Sequence, residues 1–342
     1  MADDHQHGPR DDHDHADQNE AQLGERQAKD ALAEVAGPRL QSLVLKDGVA
    51  TLVLEVHGLD RLERDRLEIA VRDALRPLAA VRETRIAMTA EKPRRRIVAV
   101  GSGKGGVGKS TLAANIAIAL HRMGRKVGLV DADIYGPSQP RLMANEGHRP
   151  VAKDSKLIPV ASPWGVPILS LGHLGPPGQA IAWRGPMTAN AMGQLVDAAW
   201  GDADIIIVDL PPGTGDVQLT MIQRHKPVGA VIVSTPQDLA LMDATRAIQM
   251  FESGDVPIIG MVENMAGYLC PHCGEESDPF GQGGCEAAAR AMGHAFLGRV
   301  PLDIAIRQDS DAGRPPAAFD GPQGEAFAAI ARRVAAWLDN QK

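Results

Sequence analysis

A chain of 342 residues, 44% hydrophobic and 23% charged, is long enough to bury one large or two modest cores. Its net charge of −7 and aromatic content of 3% argue against sequence-independent nucleic-acid binding, which wants a basic surface and stacking rings. No run of about 18 apolar residues occurs, the first residues are acidic and His-rich, and three cysteines make no secreted disulfide framework, so a membrane span and a signal peptide are not expected and the cytoplasm is.

Residues 1–27 carry Asp, Gln and four histidines (His5, His7, His13, His15) with almost no large apolar side chain. Such a composition cannot offset its ordering entropy, so a disordered tail is expected, with loose metal binding by the histidines as the alternative. Residues 28–90 read as a small α+β domain: a helical stretch ending at Gly37, strands over 40–45 and 49–56, a helix over 62–75 and a strand over 85–88. Asp47-Gly48 is a hairpin signal and Pro77 closes the helix. Residues 91–96 form a linker whose basic run reads as a solvated edge.

The remainder, 97–342, reads as doubly wound α/β. Ile97 to Val100 is an apolar strand that runs into Gly103-Lys104-Gly105-Gly106-Val107-Gly108-Lys109-Ser110, a match to G-x-x-x-x-G-K-[ST], and Thr111 with the periodic Leu112, Ile116 and Leu120 opens a helix. In that strand-loop-helix context the loop amides cradle phosphate, Lys109 reaches the β- and γ-phosphates, and Ser110 offers its hydroxyl to Mg²⁺. Apolar runs at 127–130, 168–171, 205–208, 230–234 and 258–262 alternate with helical patterns, which gives a mostly parallel sheet covered on both faces, with ligands at the carboxyl ends of its strands. At those ends stand Asp131 and Asp133, then Asp209, which four apolar residues deliver to a position from which it contacts Mg²⁺ through water, and then Asn264. Gly213 and Gly215 give the segment after Asp209 freedom to rearrange. Cys270-Pro-His-Cys273-Gly274 is half of a four-ligand tetrahedral site; a twofold dimer would present it twice, and spacing does not choose between Zn²⁺ and an iron–sulfur cluster. Cys285 is too solitary to complete it. A closing helix over 323–339 puts Phe327, Ile330, Val334 and Trp337 on one stripe facing the sheet.

The second loop lysine makes the phosphate loop resemble the deviant Walker A sequence K-G-G-x-G-K-[ST] of the MinD/ParA/nitrogenase-reductase class. That resemblance implies a homodimer in which Lys104 reaches the partner's phosphates, Asp133 positions the attacking water, Asp131 supports the Mg²⁺ shell and Asn264 contacts adenine. Asp209-Leu-Pro-Pro-Gly-Thr-Gly-Asp216, Ser234-Thr-Pro-Gln-Asp238, Glu263-Asn264-Met265, the cysteine turn, Phe280-Gly-Gln-Gly-Gly284 and Leu297-Gly-Arg-Val-Pro-Leu302 follow in the order of the Mrp/ApbC (NBP-type) iron–sulfur cluster carrier ATPases, which residues 95–320 resemble. The small first domain is similar to the one preceding the ATPase in many of them, but reads Ala36-Gly37-Pro38-Arg39 where Asp-Pro-Glu is usual. The resemblance implies a slow, Mg²⁺-dependent ATPase. Its dimer would hold a labile 4Fe–4S cluster between two subunits on Cys270 and Cys273 and pass it to apoproteins; the net charge of −7 and the few basic residues on the closing helix lead us to expect neither nucleic acid nor membrane as partner. The competing readings are a MinD/ParA-like positioning ATPase, an electron-donating reductase like the nitrogenase iron protein, and a P-loop ATPase with structural zinc.

Overall fold

The computed structural model of the protein describes residues 12–56, 59–89, 95–134, 136–175 and 185–341, with backbone only at 12–22, 185 and 186. The chain divides into two compact units, Met1–Arg94 and Arg95–Lys342. Among the described residues no helix is long and apolar enough to cross a membrane.

In the first unit, α1 (Asp12–Ala33) precedes a sheet in which β1 (Leu40–Lys46) and β2 (Val49–Glu55) form an antiparallel hairpin, while β3 (Glu83–Thr89) lies parallel to β2 after the crossover helix α2 (Arg61–Leu75). The hairpin turns through Asp47 and Gly48, both at positive φ (50° and 74°), as a tight two-residue turn between right-twisted strands demands. Asp60 and Glu63 close a capping box at the start of α2. Helix α1 corrects the expected disorder to residue 27. Gly24, Ala28 and Leu32 recur every fourth residue and are buried, and Gly24 lies so close to Leu45 and Ala80 that a side chain there would collide. A stripe of two small residues and one leucine, too sparse to register as hydrophobic content, is enough to dock the helix. His5 and His7, residues 1–11 as a whole, and Lys92 to Arg94 of the expected linker lie outside the described residues; Arg96 already opens a strand.

The second unit is built on an eight-stranded sheet. Its elements in chain order are β4 (Arg96–Gly101), α3 (Lys109–Arg122), β5 (Val127–Asp131), α4 (Gln139–Leu142), the small hairpin β6 (Ala152–Lys153) and β7 (Lys156–Leu157), β8 (Ile168–Ser170), α5 (Gly185–Val196), β9 (Ile205–Asp209), α6 (Asp216–Thr220), β10 (Gly229–Ser234), α7 (Asp238–Ser253), β11 (Ile258–Leu269), β12 (Glu276–Ser277), α8 (Gly284–Met292), β13 (Phe296–Leu302), α9 (Ile304–Asp311) and α10 (Pro322–Asn340). The order across the main sheet is β8-β5-β9-β4-β10-β11-β13, all parallel, and β12 pairs antiparallel with the end of β11.

Alternation along the strands explains the two covering layers. Val98, Val100, Ile205 and Ile207 join the core formed with α3 and α10, whereas Ile97, Ala99, Ile206 and Val208 join the core under α5, α7 and α8. The stripe of α10 faces inward: Phe327, Ile330 and Val334 are buried and Trp337 packs on the same core. Strand β11 runs seven residues beyond its apolar run at 258–262 because β13 and β12 pair along its extension. After β4 the chain crosses over to β5 and later returns to both neighbours of β4, which makes the carboxyl end of β4 the place where strand order reverses.

Candidate functional site

The loop after β4 curls through Gly106 and Gly108, at φ 79° and 81°, where a residue with a Cβ would be strained. Gly103 is needed for a different reason: a Cβ there would meet the backbone of Asp243 and Ala244 within α7. Gly108 is the N-cap of α3, so the loop amides and the helix dipole converge on one concavity suited to an anion. Ser102 Oγ donates to Lys104 O (3.0 Å) and Gly213 N donates to Ser102 O (2.9 Å), which ties the segment after β9 to the loop. Lys104 is half-buried and has no side-chain partner among the described residues.

Lys109 is 6% exposed, and its ammonium bonds Asp209 Oδ1, stands 3.7 Å from Asp133 Oδ2 and reaches Ser110 Oγ at 3.4 Å. Burial alone pulls its pKa down, but the attraction of Asp209, then Asp133 and Asp131, outweighs that and leaves it raised. Asp131 and Asp209 are in register on the adjacent strands β5 and β9. Asp131 accepts from Asp133 N (3.1 Å), Gln139 N (3.1 Å) and Ser170 Oγ (2.9 Å). Full burial, and then the Asp209 carboxylate beside it, nevertheless push its pKa up to about 7. Three carboxylates round one buried ammonium make this a place where positive charge is favoured, Ser110 offers a hydroxyl beside it, and the loop amides fit the phosphates that a hydrated cation would accompany. The residues expected at this site from the sequence are therefore brought together.

Gln139 was not among them. It is fully buried, and its Nε2 donates to Asp209 Oδ2 and Ser110 O, both at 2.9 Å. No spacing rule links a glutamine opening a four-residue helix to a strand 70 positions later, so the sequence holds no signal for it.

Asn264 donates from Nδ2 to Val107 O (2.7 Å), so it braces the loop directly. Beside it lies a cavity of about 240 Å³ lined by Gly108, Thr111, Asn264, Met265, Pro301 and Phe327, among others, mostly apolar and of a size to receive a flat base.

Strand β11 continues from Asn264 to the cysteine turn. Gly274, at φ 73°, closes it: its N–H donates to Cys270 O (2.9 Å), and Cys270 N donates to Glu275 O (3.0 Å). The amides of Cys273 and His272, and then the Cys273 thiol, hold the Cys270 thiol below its ordinary pKa, favouring the thiolate a metal needs. Cys270 is half-buried and Cys273 exposed. Among the described residues no third His, Cys, Asp or Glu side chain joins Cys270 and Cys273 in a metal-binding group. Cys285 does not join it. It lies in the first turn of α8, fully buried, with burial and then Glu263 pushing its thiol up to about 12. Cys285 is a packed core thiol, as its isolation in the sequence suggested.

Residues 94–335 match the family model described as ParA: NUBPL iron-transfer P-loop NTPase. The iron-sulfur cluster carrier protein of Deinococcus radiodurans is 45% identical over 287 residues, covering 80% of this chain and 81% of that protein. Among solved structures, a nucleotide-binding protein of Archaeoglobus fulgidus in complex with ADP is 39% identical, with a TM-score of 0.58 over 68% of this chain and 91% of that one. The MinD cell division protein of Aquifex aeolicus is 24% identical, with a TM-score of 0.52 over 70% of this chain and 97% of its own, a likeness of fold alone.

Proposed function

Because this chain belongs to the ParA family of NUBPL iron-transfer P-loop NTPases, we propose that it works as an iron–sulfur cluster carrier, a homodimer that binds and slowly hydrolyses ATP while lending a 4Fe–4S cluster to apoproteins. One observation carries the reading: a single strand, β11, passes from Asn264, bonded to the phosphate loop, to Cys270 of the half-site. The alternatives of a positioning ATPase or a reductase leave that pair of thiols without a task.

In the proposed reaction the loop amides and Lys109 bind the β- and γ-phosphates, so the ammonium exchanges Asp209 for phosphate oxygens. Asn264 and the apolar cavity beside it receive adenine. Asp133 orients a water whose oxygen bonds to the γ-phosphorus as the bond to the leaving ADP oxygen breaks, the water's proton passing to phosphate oxygen. Ser110, with Asp131 and Asp209 acting through water, would hold Mg²⁺, which neutralises charge on the phosphates. Lys104 serves the phosphates of a second copy, in keeping with its lack of a partner among the described residues. Cys270 and Cys273, with the same pair from that second copy, make the four thiolates a cluster takes. Their position on an exposed turn lets a recipient's cysteines displace them one at a time.

The test is transfer. Protein reconstituted with iron and sulfide without oxygen should activate an apo-enzyme that depends on a 4Fe–4S cluster, and Cys270→Ala or Cys273→Ala should abolish that activation. Activation at the native rate by either variant would contradict the reading.

A further inference from the structure

Gln139 is a neutral amide set among Lys109, Asp131 and Asp209. Its neighbours fix which way its amide faces. Asp209 Oδ2 and Ser110 O are both acceptors, so the NH₂ group must point to them, one hydrogen to each. The reversed amide would set an oxygen against two oxygens. Its backbone N–H, one of the free donors at the start of α4, goes to Asp131 Oδ2 at 3.1 Å. One residue thus touches the start of α3 and both strand-end carboxylates. Its remaining polar atom, Oε1, is buried and has no hydrogen-bond partner among the described residues. A buried acceptor without a donor costs about 1–3 kcal/mol, so such an atom in a site for a hydrated ion points to a donor that arrives with the ion.

Resting on the nucleotide reading above, we propose that Gln139 is a positioning residue for a hydrated divalent cation. Its NH₂ keeps the Asp209 carboxylate and the Ser110 main chain at fixed spacing, and its Oε1 accepts a hydrogen bond from cation-bound water. The role matters most when Lys109 leaves Asp209 for phosphate. At that point Asp209 loses its ammonium, and Gln139 is the donor that still orients it. Lys109 therefore serves the nucleotide and Gln139 serves the cation, and the two contributions are separable by experiment.

Full-length native protein, Gln139→Leu, which keeps the side-chain volume, and Gln139→Asn, which keeps the amide but falls one methylene short, are titrated with a non-hydrolysable ATP analogue. Titrations are made in EDTA and over a range of Mg²⁺, with Mn²⁺ binding followed by electron paramagnetic resonance as a second readout. In EDTA both variants should bind the analogue within about twofold of native. The Mg²⁺ needed for half of the metal-dependent gain should rise about tenfold, as loss of an outer-shell partner does, and Mn²⁺ affinity should fall in parallel. A metal requirement within twofold of native in the folded variants would overturn the proposal, and so would an equal loss of affinity in EDTA, which would make Gln139 a brace of the loop only. Absence of any metal dependence in the native protein would instead remove the Mg²⁺–nucleotide reading on which the proposal stands.

Discussion

Replacing Lys109 by Met keeps the aliphatic stem and removes the ammonium from between Asp209, Asp133 and Asp131. Asp131 and Asp209 are fully buried and face each other across adjacent strands. Removing one partner of a buried ion pair costs about 3–5 kcal/mol because the other charge is left uncompensated. In a unit the size of Arg95–Lys342, about 1 kcal/mol moves Tm by roughly 2–4 °C, so the nucleotide-free variant should melt roughly 6–20 °C below native. The deficit should depend on pH. Asp131 is pushed up to about 7 in the folded protein, from an ordinary value of 3.8. Between those values the folded state binds more protons than the unfolded state, so unfolding free energy falls as pH rises from about 4 to 7. Without the Lys109 cation the repulsion is unopposed and that fall steepens, so the variant's loss should be larger at pH 8 than at pH 5.5. Adding Asp209→Asn should recover most of it. The assay is urea and thermal unfolding in EDTA across that pH range. A loss below about 1 kcal/mol, or one equal at both pH values, would refute the reasoning that a buried charge cluster, and not the loop backbone, is what Lys109 stabilises.

Other consequences are simpler. Asn264→Ala removes the bond to Val107 O; with a net hydrogen bond at about 0.5–1.5 kcal/mol, ATP affinity by calorimetry should weaken roughly two- to twelvefold, and an unchanged Kd would detach Asn264 from the nucleotide. His173 is held down to about 4, first by burial and then by His148, and its Nδ1 accepts from Ser170 N. The unfolded state therefore binds the extra proton between about 4 and 6.5, stability is lost as pH falls through that window, and His173→Asn should flatten the acid limb of the unfolding curve. An unaltered limb would assign the acid sensitivity elsewhere. Cys285→Ala should cost about 1 kcal/mol of stability, as loss of one packed buried atom does, while iron binding stays at the native level; loss of iron would restore Cys285 as a ligand.

Short-range chemistry was legible in the sequence. The phosphate loop, the strand-end aspartates and the cysteine turn each combine a spacing with a mechanism, and the alternating apolar runs announced a sheet covered on both faces. What escaped depends on contacts between distant residues. Strand β13 was hidden by Gly298 and Pro301, which weaken a central-strand reading but suit a strand paired on one side only. Helix α1 was hidden because Gly24 and Ala28 bury by closeness rather than by bulk. Gln139 was invisible because its importance lies in two acceptors, at positions 110 and 209, that only the folded sheet brings within reach. The inertness of Cys285 is likewise a fact of burial, which a residue count does not carry.

The central claim is that two copies of one half-site make a single cluster site. After reconstitution without oxygen, iron and acid-labile sulfide are counted per dimer, with the oligomeric state measured in the same sample, for native protein, Cys270→Ala and Cys273→Ala. The account predicts about four iron and four sulfide per dimer, both lost in either variant, and a dimer that loosens when the cluster is removed. Stoichiometric zinc that iron does not replace, or a full cluster retained on a monomer or without Cys270 and Cys273, would contradict it.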